Sequence, residues 1–159
     1  MSLDPPADPA TGGTFTFDPS RLELEPAPLD PSRIVEGVPR LAERVVWTSP
    51  DGRRVRGVWE HTPGTTTDVE VDEVFVVLSG RATIEIEGGP TIEVGPGDVG
   101  ILEPGVHTTW HVHETLRKVF HVELPEDGPE DGPEDEQEDA PEDGAEHEPD
   151  EDPDPMPLT

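Results

Sequence analysis

The stretch EVFVVLSGRATIEIEGGPTIEVGPGDVGILEPG, residues 73–105, decides the fold. At its centre Arg81–Glu87 alternates strictly, with Arg81, Thr83, Glu85 and Glu87 on one face and Ala82, Ile84 and Ile86 on the other. A period of two is that of a strand with one face buried. Before it, Glu73–Leu78 is a Val- and Phe-rich strand closed by Ser79-Gly80. After it, Gly88-Gly89-Pro90 turns the chain into Thr91–Val94, and Gly95-Pro96-Gly97-Asp98 turns it again into Val99–Leu102. Glu103-Pro104-Gly105 then leads to His107–His113, and the last strand is Arg117–Leu124. Upstream, Arg44–Thr48 and Arg53–His61 read as strands joined by the turn Ser49–Gly52. Thr14–Phe17 reads as a further short strand, and Pro31–Glu36, opened by Asp30, as one helical turn. Short strands at even spacing with Gly and Pro turns predict an all-β sandwich or barrel.

The two ends read differently. Residues 1–13 are rich in Pro, Asp and Gly and read as a disordered leader. From Glu126 to Thr159 there are 17 acidic residues, seven prolines and no Lys or Arg, with a Pro-Glu-Asp-Gly repeat. This segment has too little apolar surface to offset the entropy of ordering it, so a disordered tail is expected over 126–159. The foldable part is then residues 14–125, carrying 19 acids against 10 bases. Acidity of this degree argues against nucleic acid and anionic membranes, both of which need a basic footprint. Zero cysteines, no basic-apolar leader and no long apolar run fit a soluble cytoplasmic protein.

Several of these elements together resemble the cupin superfamily. They are Gly57-Val58-Trp59-Glu60, Thr62-Pro63-Gly64, Asp72-Glu73-Val74, Leu78-Ser79-Gly80-Arg81, Gly95-Pro96-Gly97-Asp98, Pro104-Gly105, Trp110 and Arg117-Lys118. More narrowly the chain is similar to the small single-domain branch grouped with the (S)-ureidoglycine aminohydrolase cupin domain and the ethanolamine-utilisation cupins. The resemblance runs from about Ile34 to Val122 and implies a double-stranded β-helix, a jelly-roll barrel often paired as a homodimer. It also implies where a metal site would be. Glu73 stands where one ligand is expected, but the histidine places fall on Thr67 and Val69, on Thr66 and Asp68, or, counted from Gly57, on Pro63 and Thr65. In the second motif the histidine place falls on Thr108. Three of the four usual ligands are therefore missing.

A shifted metal site would draw on Glu73, His61 or His107, holding manganese, iron, zinc or nickel. If Thr108, Trp110 and Val112 face the barrel, His107, His111 and His113 face away, so no bound metal or other cofactor is expected. In the last strand Lys118 shares a face with Phe120, Val122 and Leu124, which points it toward Glu73. That pair either lines a ligand cavity, with Glu73 the best candidate for a general base, or is separated, with Lys118 reaching the barrel mouth. Trp59 and Trp110 either wall a pocket or pack the core. The expected ligand set is Trp59, Glu73, Phe75, Thr108, Trp110 and Lys118.

Three functions follow. The first is a cupin module binding a small polar metabolite without a standard metal site. The second is a metal-dependent cupin hydrolase or isomerase, ureidoglycine aminohydrolase-like, rebuilt around Glu73. The third is an accessory protein docking through its outer face or tail. The apolar outer row Val74, Val76 and Leu78 favours a homodimer.

Overall fold

The computed structural model describes residues 13–126. The leader and the acidic tail expected to be disordered lie outside the described residues, apart from their junctions. Among the described residues nine strands form one curled antiparallel sheet. They are β1 (Glu25–Ala27), β2 (Ile34–Glu36), β3 (Leu41–Thr48), β4 (Arg54–His61), β5 (Gly64–Val69), β6 (Asp72–Ile86), β7 (Thr91–Val94), β8 (Val99–Leu102) and β9 (His107–Glu123).

Strand β9 organises the barrel. Its first half pairs β5, with Thr66 opposite Trp110, and its second half pairs β4, with Lys118 opposite Trp59. Along its other edge runs β6, with Ile84 opposite Trp110 and Phe75 opposite Phe120. In turn β6 carries β7 and β8 on its far edge. Two long bent strands shared between two sets of short partners close the sheet on itself, which hides the inward row and removes most free edges.

The bend explains one departure from the sequence reading. Ser79-Gly80 does not end a strand, and β6 continues through it with register shifts against β9 between Val77 and Ala82. Gly80 has φ +86°, and a Cβ there would lie 2.1 Å from the Thr115 carbonyl oxygen. Only glycine allows the two strands to approach so closely at the corner. For the same reason His107–His113 and Arg117–Leu124 are halves of the single strand β9.

Two further expectations change. Pro31–Arg33 is a single 3-10 turn with Asp30 accepting from the Ser32 N–H at 2.9 Å, but Ile34–Glu36 goes on to pair with β5. Thr14–Phe17 is not a strand, because Phe15 and Phe17 pack onto the outer-face cluster of Leu22, Val46 and Val58 instead of pairing their backbone. Arg117 fixes that segment by donating to the carbonyls of Pro19 (3.0 Å) and Leu22. Strand β5 was not anticipated, because its Thr-Thr-Thr-Asp run has no apolar alternation to announce it.

The inward rows obey the period-two reading. On β6 Phe75, Val77, Ala82 and Ile84 are buried, and on β9 Trp110, Val112, Leu116 and Phe120 are. With Val94 and Leu102 they form one continuous apolar core.

Candidate functional site

The core does not fill the barrel. Beside it opens a cavity of about 480 Å³ walled by β3, β4, β5, β6 and β9. Its chemistry is set by which inward positions are not apolar. On β6 that position is Glu73 and on β9 it is Lys118, both about one-twentieth exposed.

Lys118 and Glu73 come together, with Nζ donating to Oε1 at 2.6 Å. Three aromatic rings surround the ammonium: its distances to the centroids of Trp59, Phe75 and Trp110 are 4.5, 4.6 and 4.8 Å. Each ring presents a negative face to the cation. The charge is thus removed from water but met on several sides, the condition under which a buried ion pair is tolerated.

Two further groups are held rigidly. Glu70 lies in the short link between β5 and β6 and is 8% exposed. Its Oε1 accepts from the Thr108 hydroxyl at 2.5 Å and from the Trp110 indole N–H at 2.9 Å. His61, at the end of β4, is 1% exposed. Its Nδ1 lies 2.6 Å from the Thr62 carbonyl oxygen, which can only accept, so Nδ1 carries the proton. Nε2 is then the acceptor for the Thr66 hydroxyl at 2.9 Å. Burial holds the imidazole below its ordinary pKa, and the ring stands neutral.

At the mouth Arg33, on the 3-10 turn, donates to Asp68 Oδ2 at 2.7 Å and to the Thr67 carbonyl at 2.8 Å. Burial raises the Asp68 pKa, and repulsion from Glu70 adds to this while Arg33 opposes it. Glu43 on β3 also lines the cavity. Burial raises its pKa, with Lys118 opposing and Glu73 reinforcing the shift.

Of the six residues expected to bind ligand, Trp59, Glu73, Trp110 and Lys118 line the cavity. Phe75 and Thr108 are buried behind its wall, the first under the ammonium and the second against Glu70. Of the weak metal candidates, His61 lines the cavity while His107 is exposed at the start of β9. Sequence reasoning did not anticipate Arg33, Glu43 or Glu70. Glu43 was legible in principle, since it shares a strand face with Leu41 once β3 is begun there and not at Arg44. Glu70 carries no local signal, because its position depends on two β9 side chains about forty residues away.

The residues in the places where the resemblance implies metal ligands supply few free donors for a divalent metal. Of the alternative histidine places, Thr66 and Asp68 line the cavity, while Thr67, Val69, Pro63, Thr65 and Thr108 are not among its lining residues. Thr66 offers a neutral hydroxyl, Asp68 is paired to Arg33, and Glu73 is already paired to Lys118. Among the described residues no group of three or more His, Asp or Glu is placed to hold an ion.

Comparison with known proteins agrees with this architecture. The EutQ-like cupin domain model matches residues 48–120, a little under half of the chain, and over that stretch the chain is similar to the EutQ-like cupin domain. No curated protein sequence matches the chain. Among solved structures it is similar to a protein of unknown function from Pseudomonas syringae pv. tomato, with TM-score 0.59 and 24% identity over 64% of this chain. The chain spans 45% of that protein's length. It is also similar to the cupin domain of Schizosaccharomyces pombe Cnp3, with TM-score 0.50 and 13% identity, covering 67% of this chain and 72% of that one. At such identities the likeness concerns the fold alone. The EutQ protein of Clostridium difficile overlays with TM-score 0.49 and 19% identity, over 64% of this chain and 82% of that one.

Proposed function

We propose that this domain is a small-molecule-binding cupin module of the cytoplasm that takes a polar metabolite into its barrel without a resident metal ion. The observation that carries the reading is the Lys118–Glu73 pair, buried under three aromatic rings yet lining an open cavity of a size suited to a metabolite. In a metal-dependent cupin a cation held by the barrel supplies fixed positive charge. Here the lysine ammonium supplies it, and the groups standing in the motif's ligand places that line the cavity are a hydroxyl or are already paired.

The competing reading is a metal-dependent hydrolase or isomerase built around Glu73. Elemental mass spectrometry of untagged protein, before and after chelator, separates the two. Near-stoichiometric manganese, iron, zinc or nickel overturns the proposal and makes Glu73→Gln, with folding checked, the decisive activity variant. Metal-free folded protein that retains a co-purifying metabolite, or gains one in a binding screen, supports it.

A second proposal concerns assembly. Val74 and Val76 on β6 pair with Ile101 and Val99 on β8, and all four side chains are exposed on one outer face. We read this face as covered by a second copy of the chain. Sedimentation velocity tests it: a dimer that dissociates in Val76→Asp/Ile101→Asp supports it, and a monomer at micromolar concentration refutes it.

A further inference from the structure

The cavity holds more negative charge than its own cations neutralise. Four carboxylates line it, Glu43, Asp68, Glu70 and Glu73, against two cations, Arg33 and Lys118. Both cations are committed, Lys118 to Glu73 at 2.6 Å and Arg33 to Asp68 at 2.7 Å. Among the described residues Glu43 and Glu70 have no cation within ion-pair distance.

Glu70 is the informative one. The residue is more than nine-tenths buried, yet both of its side-chain hydrogen bonds come from neutral donors and both end on the same oxygen, Oε1. The other oxygen has no partner among the described residues. It is also not sealed in, since no fully buried side-chain oxygen is left without a hydrogen bond. Glu70 lines the cavity, so its free oxygen opens into it. An immobilised, desolvated carboxylate with one oxygen presented to a cavity costs stability until a cation meets it. Trp110, whose indole N–H holds Glu70, and the half-buried Trp59 wall the same space, and their rings suit an organic cation more than a hydrated metal ion.

We infer that the metabolite taken by this barrel is a small organic amine, bound as its ammonium by Glu70 with Glu43 supplying the second negative charge. This rests on the metabolite-binding reading above and deepens it. The ammonium donates a charge-assisted hydrogen bond to the free Glu70 oxygen, and its alkyl part lies against the indole walls. An anionic metabolite meets the same four carboxylates and is disfavoured. The high charge of residues 126–159 attracts amines as well, so the experiment must report from inside the barrel.

The Trp110 indole N–H does so, because it donates directly to Glu70. The full chain is titrated at neutral pH and moderate salt with propylamine, propanol and propionate, three probes of one shape and different charge. The indole signals are followed by proton–nitrogen NMR and assigned with Trp47→Phe and Trp59→Phe variants. Propylamine is expected to shift the Trp110 indole resonance, while propanol and propionate leave it in place. Glu70→Gln, which keeps an acceptor for Thr108 and Trp110, should weaken propylamine about tenfold, the loss typical of one charged hydrogen bond. Glu43→Gln gives a second, independent weakening if the Glu70 variant folds poorly. Equal response to propylamine and propanol, or undiminished amine binding in both variants, overturns the inference. A response to propionate alone does the same while sustaining a metabolite site in the barrel. A manganese titration that broadens Trp110 ahead of propylamine assigns the free carboxylates to a metal and refutes the amine. No response to any probe also refutes it, and the metabolite screen then judges the cavity separately.

Discussion

The interior of this barrel has a sealed part and an open part, and the same two strands build both. Around the bend at Gly80 the inward side chains are Val77, Ala82 and Ile84 from β6 and Val112 and Leu116 from β9, all buried in one apolar cluster. Farther along the same strands the inward row holds Glu73 and Lys118, faced by Glu43 and His61. In the sealed part close packing does the work. The open part is assembled from charges and hydrogen bonds that cost stability singly and are tolerable only together. Strand geometry does not distinguish these regions; the residue type at alternate positions does.

The largest expected effect is at the ion pair. Glu73→Leu leaves a buried ammonium unpaired and should destabilise the fold by about 3–5 kcal/mol in urea denaturation. The double variant Glu73→Leu/Lys118→Met removes both charges and should recover most of that loss. Equal damage in the single and the double would mean that packing, not charge, governs the open part.

Next is the sealed part, where Ile84, wholly buried, sits opposite Trp110 on β9. Ile84→Ala should cost about 2–5 kcal/mol through lost burial and the remaining void. A loss below about 1 kcal/mol would show that this end collapses readily and is less tightly packed than its burial implies.

A smaller effect is the pH dependence at His61. The folded protein resists protonating this ring, so the stability that its neutral burial contributes is present above the ordinary pKa of 6.5. That contribution falls away as pH drops below 6.5 toward the lowered folded value. Thermal melts of wild type and His61→Gln between neutral and mildly acidic pH should therefore converge as pH falls. Parallel curves would mean that the ring is not held neutral.

The smallest effect has the opposite sign. Burial raises the Glu43 pKa, so its ionised form costs stability above the raised value, and that cost disappears as pH falls through the carboxylate range. Glu43→Gln should leave stability unchanged or slightly higher at neutral pH. A clear loss would identify a cation partner for Glu43 and weaken the case that it is free to meet a ligand.

How much of this was legible depended on how local each signal was. The alternation of Arg81–Glu87 and of Lys118, Phe120 and Val122 determines which side chains face inward, because a strand's side chains must alternate whatever surrounds it. The glycine and proline turns likewise determine where most strands begin. From these the barrel, the inward Glu73 and the facing Lys118 all follow. The continuity of β6 through Gly80 did not, because glycine marks a turn and a tight strand corner equally well. Strand β5 was hidden, since its threonines are buried by partners on β2 and β9 and carry no apolar pattern of their own.

The sequence by itself thus determined the all-β class and the inward rows, both consequences of residue type and a period of two. The missing metal histidines followed only from the resemblance to the cupin motifs. Only the tertiary structure decided that Arg33 closes on Asp68 and that Thr108 and Trp110 fasten one oxygen of Glu70. It also decided that Glu43 and Glu70 are left without a cation while Glu73 has one. Those pairings join residues up to forty-five positions apart, and only closure of the barrel brings such distant groups within hydrogen-bond reach.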